Sequence, residues 1–243
     1  MSVWLCIPSA RPDGGTARLW QDAGYKVALW RDPGADIPEW ADYVVQGEYP
    51  GYARAVNELA LNALRANKSC DWIVTGGDDI EPDPNHTPDE IARECTEHFG
   101  EYIGGYTQPR GELQTFGVMQ PTGDRWGEND DMPNVRPDRK AYADRVCSSP
   151  WLGREFCQKM YGGQGPLWPG WQHMWVDEEL QNVAEMYGVL WQRRDLVHFH
   201  RHHAREGKPV PPWLVVPNRT FHETKKLFDA RKAQRFPGHA PLS

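Results

Sequence analysis

Two adjacent carboxylates, Asp78 and Asp79, follow a short apolar run and a pair of glycines. The run Trp72-Ile73-Val74 has the length and β-branched content of a buried strand, and Gly76-Gly77 allows a bend and the close approach of a ligand. Hard divalent cations such as Mg²⁺ bind one or two carboxylates together with substrate phosphates. The stretch therefore predicts a site for a cation and a diphosphate. The competing interpretation is a simple turn, because Gly and Asp dominate turns for conformational reasons of their own.

A second acidic cluster, Asp177-Glu178-Glu179, stands where a helix is predicted to begin. Capping and the helix dipole account for one acid at such a position more easily than for three. Four histidines then fall within six residues: His198, His200, His202 and His203. A lone histidine is more often structural. Here His198 and His200 are expected to share one face of a strand, and imidazoles beside two acidic clusters favour a metal or phosphate contact.

The first half of the chain is predicted to alternate strands and helices. Apolar runs predict strands at residues 3–7, 26–30, 43–45 and 72–74, and apolar side chains at three- and four-residue spacing predict a helix over 52–67. This order favours a largely parallel α/β sheet, whose ligands bind beyond the carboxyl ends of the strands. The side chains that fall at those ends, and are therefore expected to share one crevice, are Ser9, Arg11, Asp32 and Asp78.

The second half is predicted to continue this pattern. Thr87 and Glu90 have the spacing of a capping box at the start of a helix that ends near Phe99. Further strands are predicted at residues 102–106, 116–120 and 189–191, a loop at 121–139, and helices at 151–160, 177–188 and 219–234. We expect one α/β domain over residues 1–203, followed by a Pro-rich linker and a basic C-terminal helix over 204–243.

The charge of the chain is unevenly distributed. The net charge is -7, but from His198 onward nine Lys and Arg residues stand against three acids, which gives this part +6 and leaves -13 for the rest. The negative total argues against wholesale coating of nucleic acid. The basic tail predicts either an anionic partner or a solvated helix face.

Cysteine usage and hydropathy bear on the compartment. The five cysteines form no CxxC pair, which predicts reduced thiols and a cytoplasmic location. The apolar run at residues 3–7 is too short for a signal peptide. No apolar run approaches the roughly 20 residues that a membrane span needs, so we expect no membrane partner.

The order of these features resembles the glycosyltransferases of the GT-A fold, especially the large inverting family that includes cellulose- and chitin-synthase-like enzymes. The resemblance covers roughly residues 3–203. Residues 3–9 look like the opening strand of the family, Asn57 falls where its second helix often carries an asparagine, and residues 72–82 look like the strand that bears its metal-binding DXD motif. In the Asp-x-Asp-Asp form of that motif, Gly76 replaces the first aspartate and Asp78 matches the second.

The segment before and after the second acidic cluster is also similar to this family. In the Glu-Asp-x-x-Leu pattern, Val176 replaces the glutamate, Asp177 matches the catalytic aspartate and Leu180 matches the leucine. A histidine about twenty residues further on, His198 or the competing His200, resembles the family's metal or diphosphate ligand. The two replaced acids also leave open a non-catalytic module that binds sugar nucleotides.

The resemblance implies a single nucleotide-sugar-binding domain of GT-A fold, with a mixed, mostly parallel sheet flanked by helices and with Mn²⁺ or Mg²⁺ as cofactor. Asp177 is implied to be the base that deprotonates an acceptor hydroxyl, with inversion at the anomeric carbon. The implied metal ligands are Asp78, His198 and His200. The implied donor-binding residues, foremost for a UDP-sugar, are Pro8, Ser9, Arg11, Asp32, Gly76, Gly77 and Asp79, and the implied acceptor-binding residues are Trp151, Arg154, Trp171 and Glu178.

The acceptor is open at the level of sequence. The chain looks like small soluble glycosyltransferases encoded by bacteriophages, some of which modify hydroxymethylated pyrimidines in DNA within the host cytoplasm. Trp151 and Trp171 are then candidates for stacking a base, and the basic tail for following phosphates, although core packing is the favoured interpretation of each tryptophan. A glycan or small molecule is the rival acceptor.

A nucleotidyltransferase, which also uses aspartates and a metal on an α/β sheet, is the alternative enzyme class. The sugar, the nucleotide base and the oligomeric state stay undetermined.

Overall fold

A seven-stranded mixed sheet forms the centre of the computed structural model, which describes residues 2–101, 115–125 and 144–241. The order of its strands is β3-β2-β1-β4-β7-β6-β8, and β5 and β9 form a separate two-stranded ribbon. The strands are β1 (Val3–Pro8), β2 (Lys26–Arg31), β3 (Tyr43–Gln46), β4 (Trp72–Val74), β5 (Ile80–Glu81), β6 (Val118–Pro121), β7 (Trp151–Gly153), β8 (Leu190–Arg193) and β9 (Phe199–His200).

Most neighbouring strands of the sheet run parallel. Strand β1 pairs in parallel with β2 and β4, β2 pairs in parallel with β3, and β6 with β8. Only β7, of the strands in this sheet, is reversed, since it pairs antiparallel with both β4 and β6. The prediction of a mixed, mostly parallel sheet is therefore confirmed. The carboxyl ends of β1, β2 and β4 lie at one edge, as ligand binding at such an edge requires.

Helices flank the sheet. They are α1 (Ala17–Asp22), α2 (Tyr52–Ala66), α3 (Pro88–Glu101), α4 (Arg154–Gly163), α5 (Val176–Met186), α6 (Pro212–Arg219) and α7 (Phe221–Ala233). The periodic apolar side chains of α2 are buried, with Val56 and Leu59 at 0% exposure. The capping box of α3 is formed, because the Thr87 amide donates to Glu90 Oε2 at 2.8 Å and the Glu90 amide to Thr87 Oγ1 at 3.3 Å.

The predicted helix over 151–160 is wrong at its start. Residues Trp151–Gly153 form strand β7, and the helix begins only at Arg154. The three strand residues are buried on both sides between β4 and β6, so pairing within the sheet outweighs their helical periodicity. The predicted strand over 102–106, and residues 126–139 of the predicted loop, lie outside the described residues.

The C-terminal helix packs on the body of the protein. Arg231 of α7 is 6% exposed and forms an ion pair with Glu179 of α5, N to O distance 2.6 Å. The Trp175 ring stacks on Phe228 of α7 at a centroid distance of 5.1 Å. Residues of the predicted C-terminal extension therefore contribute directly to the core. Among the described residues, no helix has both the length and the apolar character to cross a bilayer.

Candidate functional site

The loop between β4 and β5, residues 75–79, is fixed from two sides. Thr75 Oγ1 donates to the Cys6 carbonyl at 2.9 Å, which ties the loop to β1. The Tyr52 hydroxyl lies 3.0 Å from Thr75 Oγ1 and donates to the Gly76 carbonyl at 3.2 Å, which ties the loop to the start of α2. These bonds hold the two aspartates that follow in defined and different directions.

Asp78 points toward the loop after β1. Ser9 Oγ donates to Asp78 Oδ2 at 2.6 Å, and Arg11 Nε lies 3.2 Å from Asp78 Oδ1. The Thr16 amide also donates to the Asp78 carbonyl at 2.9 Å. Burial raises the pKa of Asp78, an effect that the Ser9 hydrogen bond and the Arg11 charge only partly offset. The predicted crevice at the strand ends thus unites Ser9, Arg11 and Asp78.

Gly15 allows this close approach of the two loops. Gly15 lies at φ +64°, and its neighbour Gly14 lies at φ +78°. This left-handed conformation costs an L-residue about 1–2 kcal/mol. A Cβ atom at Gly15 would stand 2.0 Å from the Asp78 carbonyl oxygen. A glycine is therefore required on steric grounds as well as conformational ones.

Asp79 points the other way, into a cavity. Its carboxylate Oδ1 lies 3.3 Å from Nε2 of His200. The contact arises because β5 pairs with β9, which places Ile80 opposite His200. Burial by itself would raise the pKa of Asp79, but the hydrogen bond and charge of His200 outweigh it, with help from Arg11 and His202, so the pKa is lowered. Asp79 is therefore a carboxylate at neutral pH.

The Asp79–His200 pair fits two ligands of one divalent cation. Two neighbouring ligand atoms at about 2.1 Å from an octahedral cation lie about 3 Å apart, close to the observed 3.3 Å. No group of three or more His, Cys, Asp or Glu side chains that could hold a metal is found in residues 2–101, 115–125 and 144–241. The remaining positions would thus fall to substrate phosphates and water, which is the usual arrangement for Mg²⁺.

His198 is placed differently from His200, and the expectation that they share a strand face is wrong. His198 precedes β9 and is 4% exposed. Its Nδ1 lies 3.0 Å from Ser149 Oγ, and its ring contacts Trp20 edge-on at 4.9 Å. Burial lowers the pKa of His198 to about 4, against the opposing charge of Asp83. Of the two histidines, His200 is the one that contacts a carboxylate of the Asp78-Asp79 pair, namely Asp79 rather than the predicted metal ligand Asp78.

The cavity that receives Asp79 has a volume of about 1000 Å³ and extends to the second acidic cluster. Gly76, Gly77 and His200 line it together with Asp177 and Glu178. Helix α7 contributes Lys225 and Lys232 to its wall. The loop after β4 and the start of α5, which are far apart in sequence, therefore line the same cavity.

Asp177 and Glu178 are partly buried acids in the first turn of α5. Burial raises the pKa of Asp177 to about 6, against a small opposing effect of the nearby His200 charge. Burial and the neighbouring Asp177 raise the pKa of Glu178 to about 8. Asp177, with its raised pKa, is a stronger base than an ordinary aspartate and is still mostly deprotonated at neutral pH, whereas Glu178 is mostly protonated there.

Glu179, the third acid of the cluster, has a structural role. It is 1% exposed and accepts hydrogen bonds from the Tyr161 hydroxyl and the Trp171 indole, both at 2.9 Å, besides its ion pair with Arg231. Trp171 is consequently a core residue at 2% exposure, and Trp151 is another at 0%. Neither tryptophan presents a ring face for stacking, in agreement with the interpretation that the sequence favours.

Three further predicted site residues, like Ser9, Arg11, Asp78 and His198, do not line the cavity. Arg154 donates to the carbonyls of Leu64 and Asn67, at 3.1 and 2.7 Å, and so caps the end of α2. Pro8 ends β1, and Asp32 is exposed beyond the end of β2. The cavity residues that the sequence-based set lacks include Tyr52 and His173. His173 lies only four residues before Asp177, and burial lowers its pKa.

Comparisons with known proteins leave the family open. No protein-family model matches the chain, and no curated protein matches it with significance.

Proposed function

We propose that the protein is a metal-dependent glycosyltransferase of GT-A type that moves a sugar from a nucleoside-diphosphate sugar to an acceptor hydroxyl. The observation that carries the proposal is the single cavity lined by Asp79, His200 and Asp177. A cation-binding pair and a basic carboxylate are the two functions that such a transfer needs at opposite sides of the sugar. The motif order in the sequence supports the same conclusion.

We assign the donor to the crevice at the carboxyl ends of β1 and β4, which adjoins the cavity through Gly77 and Asp79. There Ser9, Arg11 and Asp78 form a hydrogen-bonded crevice beside Gly76-Gly77. Arg11 is 44% exposed in its side chain, so its guanidinium is accessible to a diphosphate while it contacts Asp78. We therefore exchange the roles expected for the two aspartates and propose Asp79, rather than Asp78, as the metal ligand, with His200 as its partner.

A Mn²⁺ or Mg²⁺ ion held by Asp79 and His200 would neutralise charge that develops on the leaving diphosphate. Asp177 accepts the proton of the acceptor hydroxyl as its oxygen attacks the anomeric carbon and the bond to the diphosphate breaks. A positioned base of this kind contributes about 10²–10⁴-fold to the rate. Attack opposite the leaving group inverts the anomeric configuration.

We assign the acceptor to the part of the cavity wall formed by Glu178, Lys225 and Lys232. The burial of Trp151 and Trp171 gives no support to their proposed stacking on a DNA base. Within the basic tail, Arg231 is engaged with Glu179 and Lys225 with Asp229. A glycan or small-molecule hydroxyl is therefore the acceptor class that we favour over DNA.

The test is a screen of nucleotide sugars, UDP-sugars first, with and without Mn²⁺, by thermal shift and then by product release. Release of a nucleoside diphosphate that requires Mn²⁺ supports the proposal, whereas release of pyrophosphate identifies a nucleotidyltransferase. Metal-dependent donor binding without turnover identifies a binding module. Asp177→Asn should bind the donor normally and transfer at least about 100-fold more slowly, with Asp195→Asn as an exposed control. Near-normal transfer by Asp177→Asn refutes its role as the base.

A further inference from the structure

Trp175, which immediately precedes α5, has a strained backbone. It adopts φ 72° and ψ 0°, in the left-handed region that non-glycine residues rarely occupy. Such a conformation costs on the order of 1–3 kcal/mol and persists only where the surroundings enforce it. The Glu179 amide donates to the Trp175 carbonyl at 3.0 Å, so the strained residue begins the helical hydrogen bonding of α5. The conformation of Trp175 therefore sets the direction in which α5 starts.

The contacts that hold the Trp175 side chain come from α7. Its indole Nε1 lies 3.1 Å from Thr224 Oγ1, which accepts the hydrogen bond. Its ring stacks on Phe228 at a centroid distance of 5.1 Å and lies 4.9 Å from the ring of Phe221. The Lys225 ammonium lies 5.4 Å from the ring centroid. One side chain thus connects the start of α5 to four residues of α7.

A second connection between the same helices lies one turn further along α5. Glu179 accepts from Nε and Nη2 of Arg231 at 2.8 and 2.6 Å, and both side chains are almost fully buried. The Arg231 guanidinium in turn lies 3.5 Å over the Trp168 ring. Paired buried charges with two parallel hydrogen bonds fix orientation as well as distance.

Asp177 lies between these two connections, two residues after Trp175 and two before Glu179. We infer that α7 acts through Trp175 as a positioning element for Asp177, so that the C-terminal helix determines where the reactive carboxylate stands in the cavity. The inference rests on the proposed function for the role of Asp177 as base. Trp175 and Thr224 are positioning residues in this scheme, and the binding of the donor does not depend on them.

Thr224→Val tests the inference because it removes the hydrogen-bond acceptor of Trp175 with almost no change of shape. Thr96→Val is a matched control, since Thr96 Oγ1 accepts from the Trp72 indole at 3.0 Å and donates to a carbonyl of its own helix, as Thr224 does. A displacement of a reacting group by about 1 Å costs about 10²-fold in rate. We expect Thr224→Val to lower kcat by about 10–100-fold, with the donor Kd within about twofold of wild type. Thr96→Val should leave both unchanged.

A second variant and a second measurement complete the test. Trp175→Phe removes the donor of the same hydrogen bond whose acceptor Thr224→Val removes. The double variant should therefore be no slower than either single variant. An unchanged kcat in Thr224→Val, or an equal loss in Thr96→Val, overturns the inference.

If the wild-type protein transfers no sugar, the proposed function fails, and positioning is judged by carboxyl NMR titration alone. A changed titration midpoint of Asp177 in Thr224→Val, but not in Thr96→Val, then supports the inference, and identical midpoints overturn it.

Discussion

Oδ1 of Asp79 lies 3.3 Å from Nε2 of His200 because β5 and β9 form an antiparallel ribbon in which Ile80 is paired with His200. The ribbon is separate from the central sheet. It therefore brings the end of the loop between β4 and β5 together with the histidine-rich segment. The Arg201 amide, which donates to the Asp79 carbonyl at 2.8 Å, strengthens the same connection.

The first prediction concerns the choice between the two histidines. His200→Ala removes one of the two proposed protein ligands of the cation. It should therefore abolish the gain in donor affinity that Mn²⁺ provides, which lowers the affinity measured with Mn²⁺ by about 10-fold or more. Calorimetric titration with a UDP-sugar, with and without Mn²⁺, measures this gain. His198→Asn is the control, since its amide can keep the contact with Ser149, and it should retain the gain although it loses packing against Trp20. The reverse pattern would assign the cation to His198.

The second prediction concerns the contact of the β1 loop with Asp78. Gly15→Ala should weaken donor binding by about 10-fold, or about 1.4 kcal/mol, because its Cβ would stand 2.0 Å from the Asp78 carbonyl oxygen and must displace one of the loops. Gly188→Ala is the matched control, with φ +66° against +64° at Gly15 and no atom within 4 Å of its Cβ. It carries the conformational strain without the clash. Equal donor affinity in the two variants would contradict the assignment of this crevice to the donor.

The central sheet could be predicted from the sequence because its strands are continuous apolar runs. Strand β4 was bounded correctly at Trp72–Val74, and the predictions for β1 and β2 are each one residue short. Helix α2 is equally clear, since all six of its periodic apolar side chains are buried: Ala55, Val56, Leu59, Ala60, Ala63 and Leu64. Strand β7 has three residues and merges with α4, so a local pattern gives no sign of the pairing with β4 and β6 that creates it.

The arrangement within the site could be predicted only in part. The sequence identifies Asp177, Glu178 and His200 of the cavity wall but misses His173. It also does not show which of the two adjacent aspartates faces the cavity, because the bend after Gly76-Gly77 decides the direction. The pairing of Asp79 with His200 depends on a ribbon with two residues in each strand, which is too short for a periodic signal. The role of Glu179 depends on Arg231, which belongs to a helix that the sequence marks only as basic.

The third prediction links the stability of the protein to the titration of Asp177. Burial raises its pKa to about 6 in the folded protein, from 3.8. Folding favours the protonated form of Asp177. The stabilisation that comes from protonated Asp177 is therefore complete below about pH 4 and is lost as the pH rises through about 6. Asp177→Asn removes the free-energy cost of the buried charge, so the variant should be more stable than wild type at pH 7.5 by about 1–3 kcal/mol. At pH 4 the difference should disappear.

Urea denaturation of both proteins at the two pH values measures the effect. Glu178 acts in the same direction, because removal of the Asp177 charge also relieves the repulsion that raises its pKa. Asp195→Asn is a suitable control, since the charge and hydrogen bonds of Arg193 lower the pKa of that exposed acid, and its variant should gain no stability at pH 7.5. A pH-independent difference between Asp177→Asn and wild type would contradict the buried position of this carboxylate.

The fourth prediction concerns the ion pair between α5 and α7. Arg231→Met leaves the Glu179 charge buried with only the Tyr161 and Trp171 donors, and removal of one partner from a buried pair costs about 3–5 kcal/mol. Lys225→Met on the same helix breaks an exposed pair with Asp229 and should cost less than about 1 kcal/mol. Adding Glu179→Gln to Arg231→Met should recover part of the loss, because no unpaired charge remains buried. Equal losses in Arg231→Met and Lys225→Met, measured by urea denaturation, would show that α7 is not anchored through Glu179.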